Sequence, residues 1–356
     1  MREPRYALGI DYGTNSVRAV VVDCATGELC SQAVFGYPGG TQGVILDAAH
    51  PHLARQHPGD YITGFVRTAK KAIKQAHDTH GIRPEQIVGI GVDTTGSTPL
   101  PVDASGTPLG MLDEFRDDPD AQAWLWKDHT SHAEAAEITA LARRRGEPYL
   151  AKCGGVYSSE WFWSKILRCR RVAPKVFRKA ASWVEFADFV PAWITGNAAP
   201  DKVVRGVCAA GHKAMFSPEW GGLPSEAFLA ELHPDLAKLR SRLYDHAVDS
   251  SQPAGYLTKE FAKKIGLPEG VPVAAGAFDA HPGAVGSGVA PGTLVTIIGP
   301  RTCHIAVWPA DQPPADIPGA CGTLPCSARP AVSGTEARPR AGRLLFDRVR
   351  GRRVGS

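Results

Sequence analysis

The chain has 356 residues, 43% of them hydrophobic, and a formal net charge of +4, which is length for roughly two domains with sizeable cores. No apolar run approaches a membrane span and the N-terminus carries no signal-peptide core, so the sequence predicts a soluble, cytoplasmic protein. The charge does not argue for nucleic-acid binding: residues 327–356 hold eight Arg against two acids, Glu336 and Asp347, a local excess larger than that of the whole chain, so the remainder is slightly acidic.

In chain order, two apolar runs, residues 6–10 and 17–22, predict strands around a polar turn, Asp11-Tyr12-Gly13-Thr14-Asn15-Ser16. An aspartate at the end of a buried strand is costly unless a metal ion or a donor meets it. Gly13 permits a sharp turn, and Thr14, Asn15 and Ser16 supply hydroxyl, amide and main-chain donors suited to phosphate. An ordinary tight turn is the competing reading. Residues 29–37 predict a third strand of an antiparallel meander, and Pro58-Gly59-Asp60 opens a helix with apolar residues at Ile62, Phe65, Val66, Ala69 and Ile73, ended by Gly81.

A strand covered on both faces is expected at residues 87–92. It ends in Asp93 and another hydroxyl-rich turn, Thr94-Thr95-Gly96-Ser97, making the chain so far an α/β domain, and residues 98–102 are expected to continue its sheet. Asp118-Pro119 predicts the start of a long helix ending at Arg143 to Arg145 and Gly146, with Trp124, Trp126, Lys127, Asp128 and His129 inside it. Those aromatic and polar groups suit sugar stacking, with core packing as the alternative. Ser158-Ser159-Glu160 opens a further helix, and residues 161–171 and 183–193 read as helical core. Residues 205–216 are small and apolar around Lys213, which either meets a hydroxyl or phosphate in a cleft or snorkels to solvent. A connector is expected at residues 250–255, a capped helix at residues 258–264, and a domain boundary at residues 266–270.

Beyond it, residues 271–277 read as a buried strand running into Asp279, and residues 293–298 as another strand, followed by Gly299-Pro300-Arg301-Thr302. A carboxylate at a strand mouth beside glycines can accept a proton from an alcohol, which makes Asp279 the strongest catalytic candidate. It can equally cap the Gly- and Ala-rich helix that follows, or do both. No Walker A pattern is present, so phosphate needs another cradle. The eight cysteines are scattered without a C-x-x-C pair and read as reduced thiols.

The segments GIDYGTNSVRAVVVD (9–23), QHPGDYI (56–62), IGVDTTGSTPLPVD (90–103), LWKDH (125–129), GGVYSSEWFWSKIL (154–167), RGVCAAGHKAMF (205–216), AAGAFDAHPGAVGSG (274–288) and the stretch 302–322 together resemble the FGGY carbohydrate kinases, and among them the bacterial ribulokinases, within the actin, hexokinase and Hsp70-like ATPase superfamily. The resemblance implies an α/β fold, with an RNase H-like domain complete at residues 1–270, a second one partial at 271–347, and an Arg-rich tail at 348–356. It implies ATP and Mg²⁺ as cofactors, a ketopentose such as L-ribulose as substrate, no nucleic-acid or membrane partner, and a possible homodimer in the full-length family.

Carried over by this resemblance, Asp279 is the catalytic base and also touches the sugar. Asp11, Gly13, Thr14 and Asn15 form the first phosphate loop with Asp11 near the metal, Gly299 and Thr302 belong to a second phosphate loop, and Gly96, Trp126, Lys213 and Glu336 are sugar-pocket positions. Where the family has Gly-Thr-Ser-Thr, this chain reads Gly299-Pro300-Arg301-Thr302, losing two hydroxyls and an N–H. Residues 344–347 resemble the family's next helix, and residues 348–356 resemble nothing: a basic partner-binding tail is one reading, and a GC-rich gene read out of frame is the preferred one. The expected activity is phosphorylation of L-ribulose to L-ribulose 5-phosphate, with a non-catalytic sugar-binding remnant and a kinase for D-ribulose or D-xylulose as alternatives.

Overall fold

The computed structural model describes residues 3–298, 303–309, 316, 320–323 and 343–347. β1 (Tyr6–Tyr12) and β2 (Ser16–Asp23) form the expected hairpin, and β3 (Leu29–Gly36) completes the meander. Alternation along β1 buries Leu8, Ile10 and Tyr12 on one face and leaves Asp11 on the other. β4 (Arg55–Gln56) precedes α1 (Pro58–His80), which His57 caps by accepting the Gly59 N–H and which Gly81 ends at φ 67°. The stripe Tyr61, Phe65, Ala69, Ile73 and Ala76 packs into the core beneath the meander.

β5 (Ile87–Thr94) lies parallel to β1. Only one of its faces is apolar and covered, through Ile87, Ile90 and Val92, because Gly89 and Gly91 place no side chain on the other. β6 (Pro99–Val102) does not extend the main sheet, since Pro99 and Pro101 lack the N–H groups a central strand needs.

The long helix expected from Asp118 is absent. Asp118 caps a single 3₁₀ turn at Pro119–Ala121, and β7 (Ala123–Trp124) then pairs with β4. The helix begins later, as α2 (His132–Arg145). Tertiary contacts override the local signal: the Arg55 guanidinium lies 3.5 Å from the Trp124 ring centroid and pairs with Asp128 and Asp120.

α3 (Phe162–Val172) and α4 (Pro174–Lys179) are followed by β8 (Ser182–Glu185), the partner of β6, so Trp183 is in a strand and the helix after it is α5 (Phe186–Ile194). α6 (Val207–Lys213), α7 (Glu226–Leu232) and α8 (Pro234–Arg240) follow, and a second core forms around Trp124, Phe162, Trp163 and Trp183. Pro253–Tyr256, expected as connector, is strand β9, and α9 (Lys259–Ile265) is capped by Thr258. A strand with Pro and Gly in it signals weakly from sequence and suits a sheet edge.

β10 (Pro272–Ala274) and β11 (Ala277–Phe278) both pair with β5, and β9 pairs with β10, giving the order β3-β2-β1-β5-β10-β9. The break at residues 266–270 is therefore a turn within this sheet. α10 (Ala280–Gly286) follows. β12 (Leu294–Ile297), β13 (Cys303–Trp308), β14 (Ala320–Thr323) and β15 (Arg343–Asp347) form a separate antiparallel sheet in the order β12-β13-β15-β14. Residues 344–347 are thus strand and not helix, a short apolar run whose periodicity cannot tell the two apart.

Among the described residues no helix is long and apolar enough to cross a membrane. Among the described residues, Cys24, Cys30, Cys153, Cys169, Cys208 and Cys303 are not joined in disulfides.

Candidate active site

Three carboxylates collect at the C-terminal ends of neighbouring parallel strands. Asp11 ends the apolar part of β1 in register with Asp93 of β5, and Ala277 of β11 is in register with Asp93 on its other side. The Asp279 N–H donates to the Thr94 carbonyl at 2.8 Å, which fixes Asp279 one step past the strand. Burial pushes Asp93 up to about 9, with Asp11 and then Asp279 adding to the rise. One oxygen of Asp93, Oδ1, is buried without a hydrogen-bond partner.

Asp279 is also shifted upward. Desolvation raises it and Asp11 adds to this, against a 2.7 Å hydrogen bond from the Ala280 N–H and the nearby His281, which favour its charge. That hydrogen bond makes Asp279 the cap of α10, so the capping and the catalytic readings are compatible. The residue keeps exposed surface although its carboxyl is partly desolvated, so a substrate can reach it.

The turn Asp11 to Ser16 is held both from within and from outside. The Gly13 N–H donates to the Ser16 carbonyl at 2.9 Å, Gln56 Nε2 donates to the Thr14 carbonyl at 2.7 Å, and Asn15 Nδ2 donates to the Gln42 carbonyl at 2.7 Å. Gly13 has no left-handed φ, and a Cβ there would come 3.4 Å from the Ser16 oxygen, an ordinary contact. The turn does not require glycine at this position.

Trp126 stands apart from buried Trp124. It is partly exposed, and its indole N–H donates to the Thr14 hydroxyl at 3.0 Å, joining a residue expected at the sugar to one expected at phosphate. Lys213, at the end of α6, has its ammonium 5.1 Å from the Trp161 ring centroid and 5.8 Å from that of Phe278, an aromatic setting that argues against a simple snorkelling role. At Gly96 a Cβ would fall 2.3 Å from the Phe278 ring, so the glycine is what lets Phe278 lie there, directly before Asp279. Gly96, Lys213 and Asp279 thus share Phe278 as a common neighbour. Gly299, Thr302 and Glu336 lie outside the described residues.

Sequence reasoning missed Gln56, Cys208 and His281 as parts of this site. Cys208 Sγ accepts the Phe278 N–H at 3.3 Å and lies 3.1 Å from His281 Nδ1, so the strand end that carries Asp279 rests on a buried thiol and imidazole. His281, two residues past Asp279, was within the motif, whereas nothing local in the RGVCAAG run marks Cys208 as its neighbour.

A divalent cation would find only oxygen donors of the right kind at Asp11 and Asp93. The partnerless Asp93 oxygen and the mutual repulsion of the two groups both favour a cation between or beside them. Among the described residues no group of three or more His, Cys, Asp or Glu could hold a metal. Two carboxylates suit an ion that takes few protein ligands and completes its shell with other oxygens.

The model of the FGGY family of carbohydrate kinases, N-terminal domain, matches residues 6–286. Ribulokinases from Vibrio parahaemolyticus and Mycolicibacterium smegmatis are 42% and 36% identical to this chain, over 94% of it and 58% of their own length. The chain thus spans less than two thirds of the curated relatives it matches. A xylulose kinase from Rhodospirillum rubrum superposes with a TM-score of 0.72 at 19% identity, covering 96% of this chain and 60% of that one. A Plasmodium falciparum glycerol kinase with ADP gives 0.74 at 14%, covering 97% and 61%.

Proposed function

This chain belongs to the FGGY family of carbohydrate kinases, and we propose that it carries the sugar-binding and first phosphate-binding portion of an ATP-dependent ribulokinase, acting on L-ribulose in the cytoplasm. The observation that carries the reading is the row of strand-end carboxylates Asp11, Asp93 and Asp279, with Gly96 and Lys213 grouped about Phe278 beside the last of them.

In this reading Asp279 accepts the proton of the terminal sugar hydroxyl as its oxygen forms a bond to the γ-phosphorus and the bridging bond to ADP breaks. The upward shift of Asp279 brings its proton affinity closer to what a general base at neutral pH needs. Thr14, Asn15 and the backbone of their turn orient the phosphates, and the Thr14 to Trp126 hydrogen bond sets the distance between phosphate and sugar. Asp11 and Asp93 would hold Mg²⁺, which supplies neutralisation of phosphate charge. The N-terminal lobe extends through α10, and the sheet β12 to β15 begins a second lobe.

A coupled ADP-release assay with L-ribulose, alongside titration of sugar and nucleotide separately, tests this. ADP release that depends on L-ribulose supports it. Sugar binding without nucleotide binding or turnover would instead favour a non-catalytic sugar-binding role, and preference for D-ribulose or D-xylulose in a ketopentose panel would replace the substrate. Absence of binding to every ketopentose would overturn the sugar kinase reading for this chain.

A further inference from the structure

Lys165, in the first turn of α3, is fully buried, and its ammonium donates to three main-chain carbonyls: Ser97 at 2.8 Å, Leu125 at 2.9 Å and Trp124 at 3.1 Å. An ammonium has three donors, and all three are used on backbone. The accepting carbonyls come from two separate stretches. Ser97 directly follows Gly96, and Leu125 directly precedes Trp126.

Each stretch is also held from elsewhere. Glu185, at the end of β8 and itself buried, accepts the Ser97 hydroxyl and, at 2.8 Å, the Thr98 N–H. Asp128 is buried beyond Trp126 and accepts from Arg55, from the Ala54 N–H at 2.8 Å and from the Thr130 hydroxyl at 2.6 Å. Asp128 and Glu185 favour the charge on Lys165, while Arg55 and Lys213 oppose it. Burial is the dominant influence and pushes the lysine down to about 7.

A well-packed apolar side chain of similar volume could fill this space without the desolvation that a buried ammonium incurs. What it could not do is bind two independent loops through their carbonyls. We propose that Lys165 is a positioning residue of the sugar pocket, clamping the Gly96–Ser97 and Trp124–Trp126 stretches to each other so that the two walls of the pocket keep a fixed separation. This rests on the reading of Gly96 and Trp126 as sugar contacts. Lys165 itself touches no substrate in this role.

The test compares the wild-type chain with Lys165→Met, which keeps volume and loses the donors, and Lys165→Gln, which keeps two N–H donors. Ketopentose and nucleotide affinities are measured by calorimetry, and amide hydrogen exchange is followed at residues 96–98 and 124–127. Lys165→Met is expected to lose protection in both stretches together and to weaken L-ribulose binding by about tenfold, the scale of one or two lost hydrogen bonds. The nucleotide affinity is expected to change by less than about threefold, and Lys165→Gln to fall between wild type and Met, on the same reasoning.

Loss of protection in one stretch alone, or Lys165→Met binding sugar as wild type does, overturns the clamp while leaving the pocket reading standing. A wild-type chain that binds no ketopentose overturns the pocket reading itself. Should Lys165→Met fail to fold, Lys165→Gln decides: partial deprotection of both stretches with a selective loss of sugar affinity supports the clamp, and equal losses for sugar and nucleotide overturn it.

Discussion

The indole N–H of Trp126 donates to the hydroxyl of Thr14 at 3.0 Å, across 112 positions of sequence. Thr14 is in the turn after β1 and Trp126 follows β7, so one hydrogen bond ties the turn proposed to meet phosphate to the residue proposed to meet sugar. Trp126→Phe keeps most of the ring and removes the donor. It is expected to lower kcat/KM by about 2- to 10-fold, the range of a single neutral hydrogen bond. A double-mutant cycle with Thr14→Val checks it: the two losses should not add, because each variant breaks the same contact.

Asp279→Asn keeps the hydrogen bond from the Ala280 N–H and the cap of α10 but cannot take a proton. Turnover in the proposed phosphorylation of L-ribulose should fall by about 10²- to 10⁴-fold, the usual contribution of a positioned base. The sugar Kd should change little. Near-normal kcat in steady-state assays would refute the assignment of the base.

Asp93 makes apo stability pH-dependent. Its folded-state value, about 9, lies above that of an unfolded carboxyl, so between those values the native state binds the extra proton. The stability this contributes is full below about pH 3.9, the unfolded value, and is lost as pH rises through about 9. Asp93→Asn cannot titrate and should show a shallower fall in Tm between pH 5 and 9 than wild type in metal-free buffer. Parallel Tm-against-pH curves for the two proteins would contradict this.

Gly96→Ala places a methyl group 2.3 Å from the Phe278 ring, too close to stand without movement. Overpacking of this kind costs about 1–3 kcal/mol, and here the displaced ring adjoins Asp279. Denaturant unfolding should show the loss, and Phe278→Leu combined with Gly96→Ala should recover part of it.

The hairpin β1–β2, helix α1 and the strand leading to Asp279 were legible because their signals are local: period-two burial, a Pro-Gly-Asp start, a Gly81 stop. The segment from Asp118 to His129 was not. Its capping signal is real but satisfies only one 3₁₀ turn, and the structure beyond it is dictated by Arg55, far away in sequence, reaching Asp128 and stacking on Trp124. Lys165 was hidden for the same reason, since its partners are carbonyls that no side-chain pattern advertises. The strand-end aspartates could be named from sequence, but their register could not, because it depends on which strands become neighbours.

That register also bears on the order of folding. Asp11 and Asp93 become neighbours only when β1 and β5 pair, and the rest of the meander and α1 lie between those strands in sequence. Such non-local parallel pairing is slow to nucleate, and the approach of two carboxylates works against it rather than for it. The strands must therefore be driven together by Leu8, Ile10, Ile90 and Val92 on the opposite face. A chain in which β1 and β5 have not yet paired thus lacks the neighbouring carboxylates on which the proposed phosphate site depends.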